Sequence, residues 1–227
     1  MDTTGQGTKK DLLAKGAVLQ RDGSYAIAPH SPGGLLEPDQ LIKIGEIAKK
    51  YNAATVKATS SQRLAIVGIK EEDIDAVWND LGMDPGYAIG VCVRSVKFCP
   101  GTTFCKRGQQ DSVSIGMELD KRYHGMELPG KFKVGVSGCV NKCMATEFRD
   151  LGLMGTSKGF HIYVGGHGGV KARLGQVLAE HQTPEDSLKI IDNIMHYFEG
   201  NGNKRERLGE FIDRIGFEEF EQEVMID

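Results

Sequence analysis

The sequence lacks any apolar run long enough to cross a membrane. Its longest apolar stretches, such as YAIGVCV, fall far short of the roughly 20 residues that a membrane-spanning helix needs. The first residues, MDTTGQGTKKDLLAKG, are polar and lack the apolar core of a signal peptide. We therefore expect a cytoplasmic protein without a membrane partner.

A strong excess of charge of either sign is also missing. The formal net charge is −3, while hydrophobic residues make up 40% and charged residues 26% of the 227 positions. This composition is ordinary for a globular protein that buries a core. No global field attracts nucleic acid or an anionic membrane, so any anion site has to be a local group of positive side chains.

The cysteines are few and odd in number. There are five, and without an export signal structural disulfides are not expected in a reducing compartment. Metal or redox chemistry becomes the leading interpretation for four of them. Cys92, which stands apart from the two close pairs, is expected to be a small core residue.

The first part of the chain predicts a small α+β sandwich of the ferredoxin-like type. Residues 1–15 are expected to form a flexible tail, and 16–85 the first subdomain, ending at the turn-rich DPGYAIG. The pattern within that subdomain predicts strand, helix, strand, strand and helix, a ferredoxin-like order. These elements are expected at 25–28, 37–52, 54–60, 63–69 and 71–82.

Residues 86–227 are expected to form a second α+β domain. The helix that starts at TPEDSLKI has a Thr cap, Pro at its first position and acids in its first turn. Two short helices broken near Gly216 are expected to close the chain. The other predicted elements are a strand in VRSVKF (93–98), a helix at 111–123, a strand in KFKVGVS (131–137) and two strands around DLGLMGTSKGFHIYVGG (150–166).

Four cysteines form two pairs. Cys99 and Cys105 lie in FCPGTTFCKRG, and Cys139 and Cys143 lie in SGCVNKC. Zinc sites favour two to four residues between paired ligands, so the gap of five fits them poorly, whereas iron–sulfur clusters tolerate several spacings. The small neighbours Pro, Gly, Thr and Ser also favour a cluster, because they let backbone N–H groups approach its sulfurs. Buried thiols without a ligand remain an alternative on spacing alone.

Basic residues surround these pairs. Alternation along GKFKVGVS predicts that Lys131 and Lys133 share one face of a strand that leads to Cys139, while the apolar residues between them enter the core. Arg94 and Lys97 precede Cys99, Lys106 and Arg107 follow Cys105, and Gln62–Arg63 lies between two predicted strands. Each could be an ordinary solvated charge. Together they indicate a cationic surround for an anionic cofactor or substrate.

These motifs resemble those of the siroheme and [4Fe–4S] sulfite and nitrite reductases, and among them the small single-repeat, assimilatory-type sulfite reductases. The paired cysteines with their glycines are the specific part of the resemblance. TSSQRLAIVGI, VRSVKFCPG, LPGKFKV and FHIYVGGHGG are similar to further family segments, so the resemblance covers nearly all of the chain after residue 15.

The resemblance implies a site. Cys99, Cys105, Cys139 and Cys143 would ligate the [4Fe–4S] cluster, and Cys143 would also bridge it to the siroheme iron. The residues implied to line the substrate side are Arg63, Arg94, Lys131 and Lys133. Those implied to hold siroheme are Gln62, Arg63, Lys106, Arg107, Asn141, Cys143 and Arg173.

The resemblance also implies a reaction, the six-electron reduction of sulfite to sulfide. Nitrite reduction to ammonia is the alternative within the same chemistry, and a non-catalytic electron-transfer module is the alternative from another class. No GxGxxG motif or flavin signature is present, so a separate ferredoxin-like carrier is the expected electron donor.

The chain departs from the larger enzymes of this kind in two ways. They contain two fused halves, whereas this chain has one, so either a homodimer with composite pockets or a monomer with a partly open siroheme is expected. Its SSQR also stands where many larger sulfite reductases have an arginine one position earlier.

Overall fold

The computed structural model describes residues 9–225, and the chain divides into two compact units at Gly90/Val91. The boundary predicted from the sequence, at 85, lies five residues earlier. Part of the predicted tail, residues 1–8, lies outside the described residues. The rest of that predicted tail has local structure, since Leu13–Lys15 form a 3-10 turn and Leu12 pairs with Ala17. No helix within 9–225 is long and apolar enough to span a membrane.

The first unit is a four-stranded antiparallel sheet with two helices, which confirms the predicted ferredoxin-like α+β class. Its strand order is β1-β2-β4-β3. The elements are β1 (Ala17–Leu19), β2 (Tyr25–Ile27), α1 (Pro38–Lys50), β3 (Thr55–Ala58), β4 (Leu64–Ile69) and α2 (Ile74–Leu81), with 3-10 turns at Leu13–Lys15, Pro32–Gly34 and Glu71–Asp73.

Local signals account for the two helices of this unit. Pro38 occupies the first turn of α1, and Glu37 and Gln40 form a reciprocal capping box there. Helix α2 ends at Gly82, whose φ of 57° is a left-handed conformation that glycine adopts without steric cost. Strand β1, which is three residues long, was not predicted.

The second unit is built on a five-stranded sheet in the order β5-β6-β7-β8-β9. Its first three strands are mutually parallel, and β8 and β9 continue the sheet antiparallel. The elements are β5 (Lys97–Phe98), α3 (Gly101–Phe104), α4 (Ser112–Tyr123), β6 (Val134–Ser137), β7 (Leu151–Thr156), β8 (Gly159–Val164), β9 (Gln176–Gln182), α5 (Pro184–Asn201), α6 (Leu208–Ile215) and α7 (Phe217–Val224), with a 3-10 turn at Thr146–Phe148.

One face of this sheet holds the apolar core. Its side chains alternate with those of the other face, as the pleat requires. They pack with buried residues of α4, α5, α6 and α7, and the core members from β5 to β8 are Phe98, Val134, Val136, Leu151, Leu153, Phe160, Ile162 and Val164.

The opposite face, called the site face below, carries polar, small and aromatic side chains. The register places them in two rows across the strands. These rows are Lys97, Gly135, Gly152 and Tyr163, and then Ser137, Met154 and His161. The Thr146–Phe148 turn packs on this face, because a Cβ at Gly152 would lie only 2.2 Å from the Thr146 carbonyl oxygen.

Two predicted strands are shorter than expected. Strand β5 covers only the last two residues of VRSVKF, and β6 begins at Val134 rather than at 131. The predicted alternation of burial nevertheless holds, since Phe132 is buried while Lys131 is exposed. Regular pairing with β7 begins after Lys133, because the Lys133 N–H donates to the Asp150 carboxylate (2.8 Å).

A buried ion pair ties α6 to the start of β7. Asp150 is fully buried and accepts hydrogen bonds from Arg207 Nε (3.0 Å), from Arg207 Nη2 and from the Lys133 N–H. Burial raises the pKa of this carboxyl, and the Arg207 guanidinium opposes that rise. Since Arg207 is the N-cap residue of α6, the pair fixes the start of α6 to the start of β7.

We expect Asp150→Asn to lower the unfolding free energy by about 3 kcal/mol, because it leaves the Arg207 charge buried without its partner. The matched control is Asp213→Asn, which breaks an Arg173 pair whose carboxylate is 61% exposed and is expected to cost less than about 1 kcal/mol. Urea unfolding of the cofactor-loaded variants measures both. Equal losses in the two variants would contradict the role given to Asp150.

Candidate metal centre and anion site

The four paired cysteines follow two neighbouring parallel strands. Cys99 comes directly after β5, and Cys139 comes two residues after the end of β6. Because β5 and β6 are parallel, their carboxyl ends meet at the same edge of the sheet. The Cys99 N–H extends this pairing by donating to the Val136 carbonyl (3.1 Å).

The loop 99–110 is joined closely to Gly138. The Gly138 N–H donates to Cys99 Sγ (3.1 Å), and the Gly138 carbonyl accepts the N–H groups of Gln109 (2.8 Å) and Gln110 (3.0 Å). Only glycine fits at this crossing, because a Cβ at Gly138 would lie 2.8 Å from the Gly101 Cα. The N–H directed at a cysteine sulfur is the contact expected around a cluster ligand.

The second cysteine pair occupies a tight turn. The Lys142 N–H donates to the Cys139 carbonyl (3.2 Å), and Lys142 has a left-handed φ of 49°. The Met144 N–H donates to Ser137 Oγ (3.1 Å), which fixes the turn to the end of β6. Cys139 is buried whereas Cys143 is exposed, so Cys143 has its sulfur at the surface of this unit.

The sulfur positions disfavour a single zinc ion. In a tetrahedral site with Zn–S bonds of about 2.3 Å, sulfurs lie about 3.8 Å apart. No three of these four cysteines, all of which the structure describes, have Sγ atoms within 4.8 Å of one another. All four are free thiols. A larger inorganic core with four thiolate ligands fits this donor set, as predicted from the spacing.

A group of cations lies on the same face as these loops. We call Lys97, Lys131, Lys133, Arg149 and Arg207 the cation cluster. Lys97 pairs with Gly135 in the sheet, and a Cβ at Gly135 would lie 2.9 Å from Arg149 Cγ. Arg149 therefore crosses the sheet above Gly135, and its Nε donates to the Met144 carbonyl (3.1 Å) beside Cys143.

The positive charge of the cation cluster is only partly neutralised by negative groups nearby. Burial, followed by the charges of Arg149 and Lys133, lowers the pKa of Lys97 to about 8. Burial and the neighbouring Lys131 also lower the pKa of Lys133, and burial lowers the pKa of Arg149.

The carboxylate that acts on the cation cluster already forms an ion pair. Asp150 is bound to Arg207, and within 9–225 no carboxylate lies within 4.0 Å of the ammonium groups of Lys97, Lys131 or Lys133. Half-buried cations without counter-ions are stabilised when an anion binds.

Other residues proposed from the sequence lie elsewhere or face solvent. Arg94 is half-buried in the second unit. Its backbone N–H donates to the Phe132 carbonyl (2.9 Å), and burial lowers the pKa of its guanidinium. Lys106, Arg107 and Asn141 are exposed beside the cysteine loops.

The Gln62–Arg63 pair belongs to the first unit. Gln62 has a left-handed φ of 61° in the turn between β3 and β4. Arg63 is only 7% exposed, and its Nη1 donates to the Gly86 carbonyl (2.7 Å).

Arg173 has a structural role that disfavours its sequence-based assignment to the cofactor. Its guanidinium binds the Asp213 carboxylate through Nε and Nη2, and it also donates to the Gly165 carbonyl and to Gln176 Oε1. These bonds hold α6 to the loop that precedes β9.

Sequence reasoning missed Arg149, Asp150 and Arg207 and gave Lys97 no specific role. Lys97 could have been found by alternation, since Phe98 beside it is apolar and points to the core. Arg149 and Asp150 follow the second cysteine pair within seven residues. Arg207 offered no local signal, because it reaches Asp150 from 57 residues away.

Two family models match the chain. The nitrite and sulphite reductase 4Fe-4S domain matches residues 89–227, and the nitrite/sulfite reductase ferredoxin-like half domain matches residues 18–83. Together they cover the two units that the structure separates.

Curated relatives agree with these matches. The chain is 42% identical over 212 residues to an assimilatory-type sulfite reductase of Nitratidesulfovibrio vulgaris, covering 93% of this chain and 97% of that protein. It is 37% identical over 215 residues to the nitrite reductase (NADH) large subunit of Escherichia coli, covering 93% of this chain but 25% of that protein.

Solved structures share the fold. The NirA protein of Mycobacterium tuberculosis superposes with a TM-score of 0.77 at 22% identity, over 88% of this chain and 39% of that one. Dissimilatory sulfite reductase I superposes with a TM-score of 0.80 at 16% identity, over 89% of this chain and 69% of that one. The predicted family is therefore confirmed: the chain belongs to the nitrite and sulfite reductases, oxidoreductases with siroheme and a [4Fe–4S] cluster as cofactors.

Proposed function

We propose that this protein reduces sulfite to sulfide. In balanced form, one hydrogen sulfite, six electrons and six protons give one hydrosulfide and three waters. The observation that carries the proposal is the cation cluster beside the cysteine loops, in which the ammonium groups of Lys97, Lys131 and Lys133 have no carboxylate of the described residues within 4.0 Å and Asp150 is bound to Arg207. The 42% identity to an assimilatory-type sulfite reductase of nearly the same length favours sulfite over nitrite.

The cysteines are proposed to hold the cluster. Cys99, Cys105, Cys139 and Cys143 supply four thiolates, and the exposed Cys143 is the proposed bridge to siroheme. The Gly138 N–H at Cys99 Sγ would stabilise added negative charge on that sulfur. When bound, siroheme and the cluster supply the electrons and the iron for the reduction.

The cations are proposed to hold the substrate and the carboxylates of siroheme. The resemblance assigns Lys131, Lys133, Arg94 and Arg63 to the substrate. Lys97 and Arg149 join this group because their charges act on Lys133. Each oxygen that leaves as water needs protons and stabilisation of its negative charge, and fixed ammonium groups in a half-buried site provide both.

The exposed polar residues near the cysteines are proposed to hold the rim of siroheme. These are Lys106, Arg107 and Asn141, to which the resemblance adds Gln62. Arg173 is left out, because Asp213 and Gln176 already bind its guanidinium.

The electron donor and the assembly are also proposals. A separate ferredoxin-like carrier is proposed because the sequence has no nucleotide-binding or flavin motif. A two-fold dimer is proposed because the chain matches only 39% of the NirA chain, so a second copy could supply a second half.

Turnover with sulfite and with nitrite, using one artificial electron donor, tests the proposed substrate. We expect the larger kcat/KM with sulfite. A larger value with nitrite would overturn sulfite reduction in favour of ammonia formation, and no turnover of either anion would favour an electron-transfer module.

Removing one charge from the anion site should slow the reaction. We expect Lys133→Met to lower kcat/KM for sulfite on the order of 100-fold, as the loss of one oxyanion donor does elsewhere. The matched control is Lys121→Met on the exposed side of α4, for which no change is expected. Siroheme absorption and iron content should match wild type in both variants, which separates substrate binding from cofactor loss.

The same lysine predicts a pH dependence. The charged form of Lys133 binds the anion, and burial lowers its pKa from the usual value of 10.5. The kcat/KM should therefore fall as pH rises through this lowered pKa. Lys133→Arg, which keeps its charge, should move that fall to higher pH, and an unmoved profile would contradict the assignment.

A further inference from the structure

Two histidines meet at the site face, on the last two strands of this sheet. His161 lies on β8 and His181 on the neighbouring β9, and 3.2 Å separates His161 Nε2 from His181 Nδ1. The rings are nearly perpendicular, at 80°, with centroids 4.6 Å apart. One ring nitrogen of each therefore points into the same space.

The backbone is shaped to bring His181 to this position. Between the pairs Phe160↔Gln182 and Ile162↔Ala179, β9 contains one more residue than β8. His181 lies in this bulge with a left-handed φ of 58°. A β-bulge re-aims a side chain, and here it turns His181 toward His161.

A carboxylate lies on the other side of His161. Glu180 Oε1 is 3.5 Å from His161 Nδ1, so it can orient the ring and leave the Nε2 lone pair directed at His181. Metal-bound histidines commonly have such a carboxylate behind them. Thr156 Oγ1, 3.5 Å from His181 Nδ1, is placed to contact a water on a bound ion.

The nitrogen separation suits a metal ion. With metal–nitrogen bonds of about 2.05 Å, a separation of 3.2 Å corresponds to an N–metal–N angle of about 103°, close to tetrahedral. A direct N–H···N hydrogen bond would also fit, at the long end of the usual range. The bulge, the oriented His161 and the adjacent hydroxyl favour the metal.

The surrounding charge permits a cation. Lys142 is the positive group that acts on His161, but Glu147 binds its ammonium, and Glu180 adds a negative charge. The His161 side chain is 14% exposed, so the pair is shielded yet open to solvent on the His181 side.

We propose that His161 and His181 form a two-histidine site for a divalent ion of the zinc class, completed by water and oriented by Glu180. Imidazole nitrogen is a preferred ligand for zinc, nickel and copper. The bound ion would join β8 to β9 at this edge of the sheet. This site is separate from the four cysteines and does not depend on the proposed substrate.

Zinc titration of the cofactor-loaded protein by calorimetry tests the proposal, with iron content measured before and after to show that the cluster remains intact. Wild type should bind one zinc. His161→Gln and His181→Asn should each weaken binding at least tenfold, and asparagine tolerates the positive φ at 181. Glu180→Gln should weaken it by less, about threefold to tenfold.

The matched control is His196→Gln, which removes an exposed histidine of α5 and should leave zinc binding unchanged. Zinc binding should also raise the melting temperature of wild type but not of His181→Asn. Failure of wild type to bind zinc would overturn the proposal in favour of a hydrogen-bonded pair. Equal binding by wild type and the His161 and His181 variants would overturn it by placing zinc elsewhere.

Discussion

The parallel pairing of β5 with β6 is the constraint on which the site depends. It brings Cys99 and Cys139 to the same edge of the sheet, although 40 positions separate them in the sequence. Gly138 then allows the two cysteine loops to touch, and its N–H reaches Cys99 Sγ. Parallel strands need a crossover, here α4, and its apolar residues Ile115 and Leu119 fill the core side of the sheet. The other face is thereby left for chemistry.

The sheet of the second unit has a core face and a site face, and this division determines where the charges of the unit lie. Lys97, Lys133 and Arg149 are held half-buried and close together, which is unfavourable in the absence of an anion. The structure maintains the arrangement by directing the one fully buried carboxylate nearby, Asp150, to Arg207 and to the Lys133 backbone. Repulsion among half-buried cations lowers stability and is relieved when an anion binds.

Much of this could be read from the sequence, and the exceptions have physical causes. The cysteine pairs, the alternation of Phe132, Val134 and Val136, and the capped helices are local patterns, so they were predicted. Local patterns did not show that β6 begins only at Val134, or that Arg173 binds Asp213. Both features depend on partners distant in sequence.

The least predictable features join remote segments. Arg207 reaches Asp150 across 57 positions, and the bulge that turns His181 toward His161 shows only in the register of β8 and β9. Such contacts carry no periodicity in the sequence. Resemblance to a family predicted roles for the cysteines and the paired lysines, but it could not give the balance of charge around them.

We propose that four thiolates and a nearby group of cations hold a cluster and siroheme together in one chain. Iron and acid-labile sulfide analysis of the purified protein, with its absorption spectrum, tests this most directly. We expect about five irons and about four sulfides per chain with a chlorin-type red band. About four irons without that band, or zinc in place of iron, would contradict it.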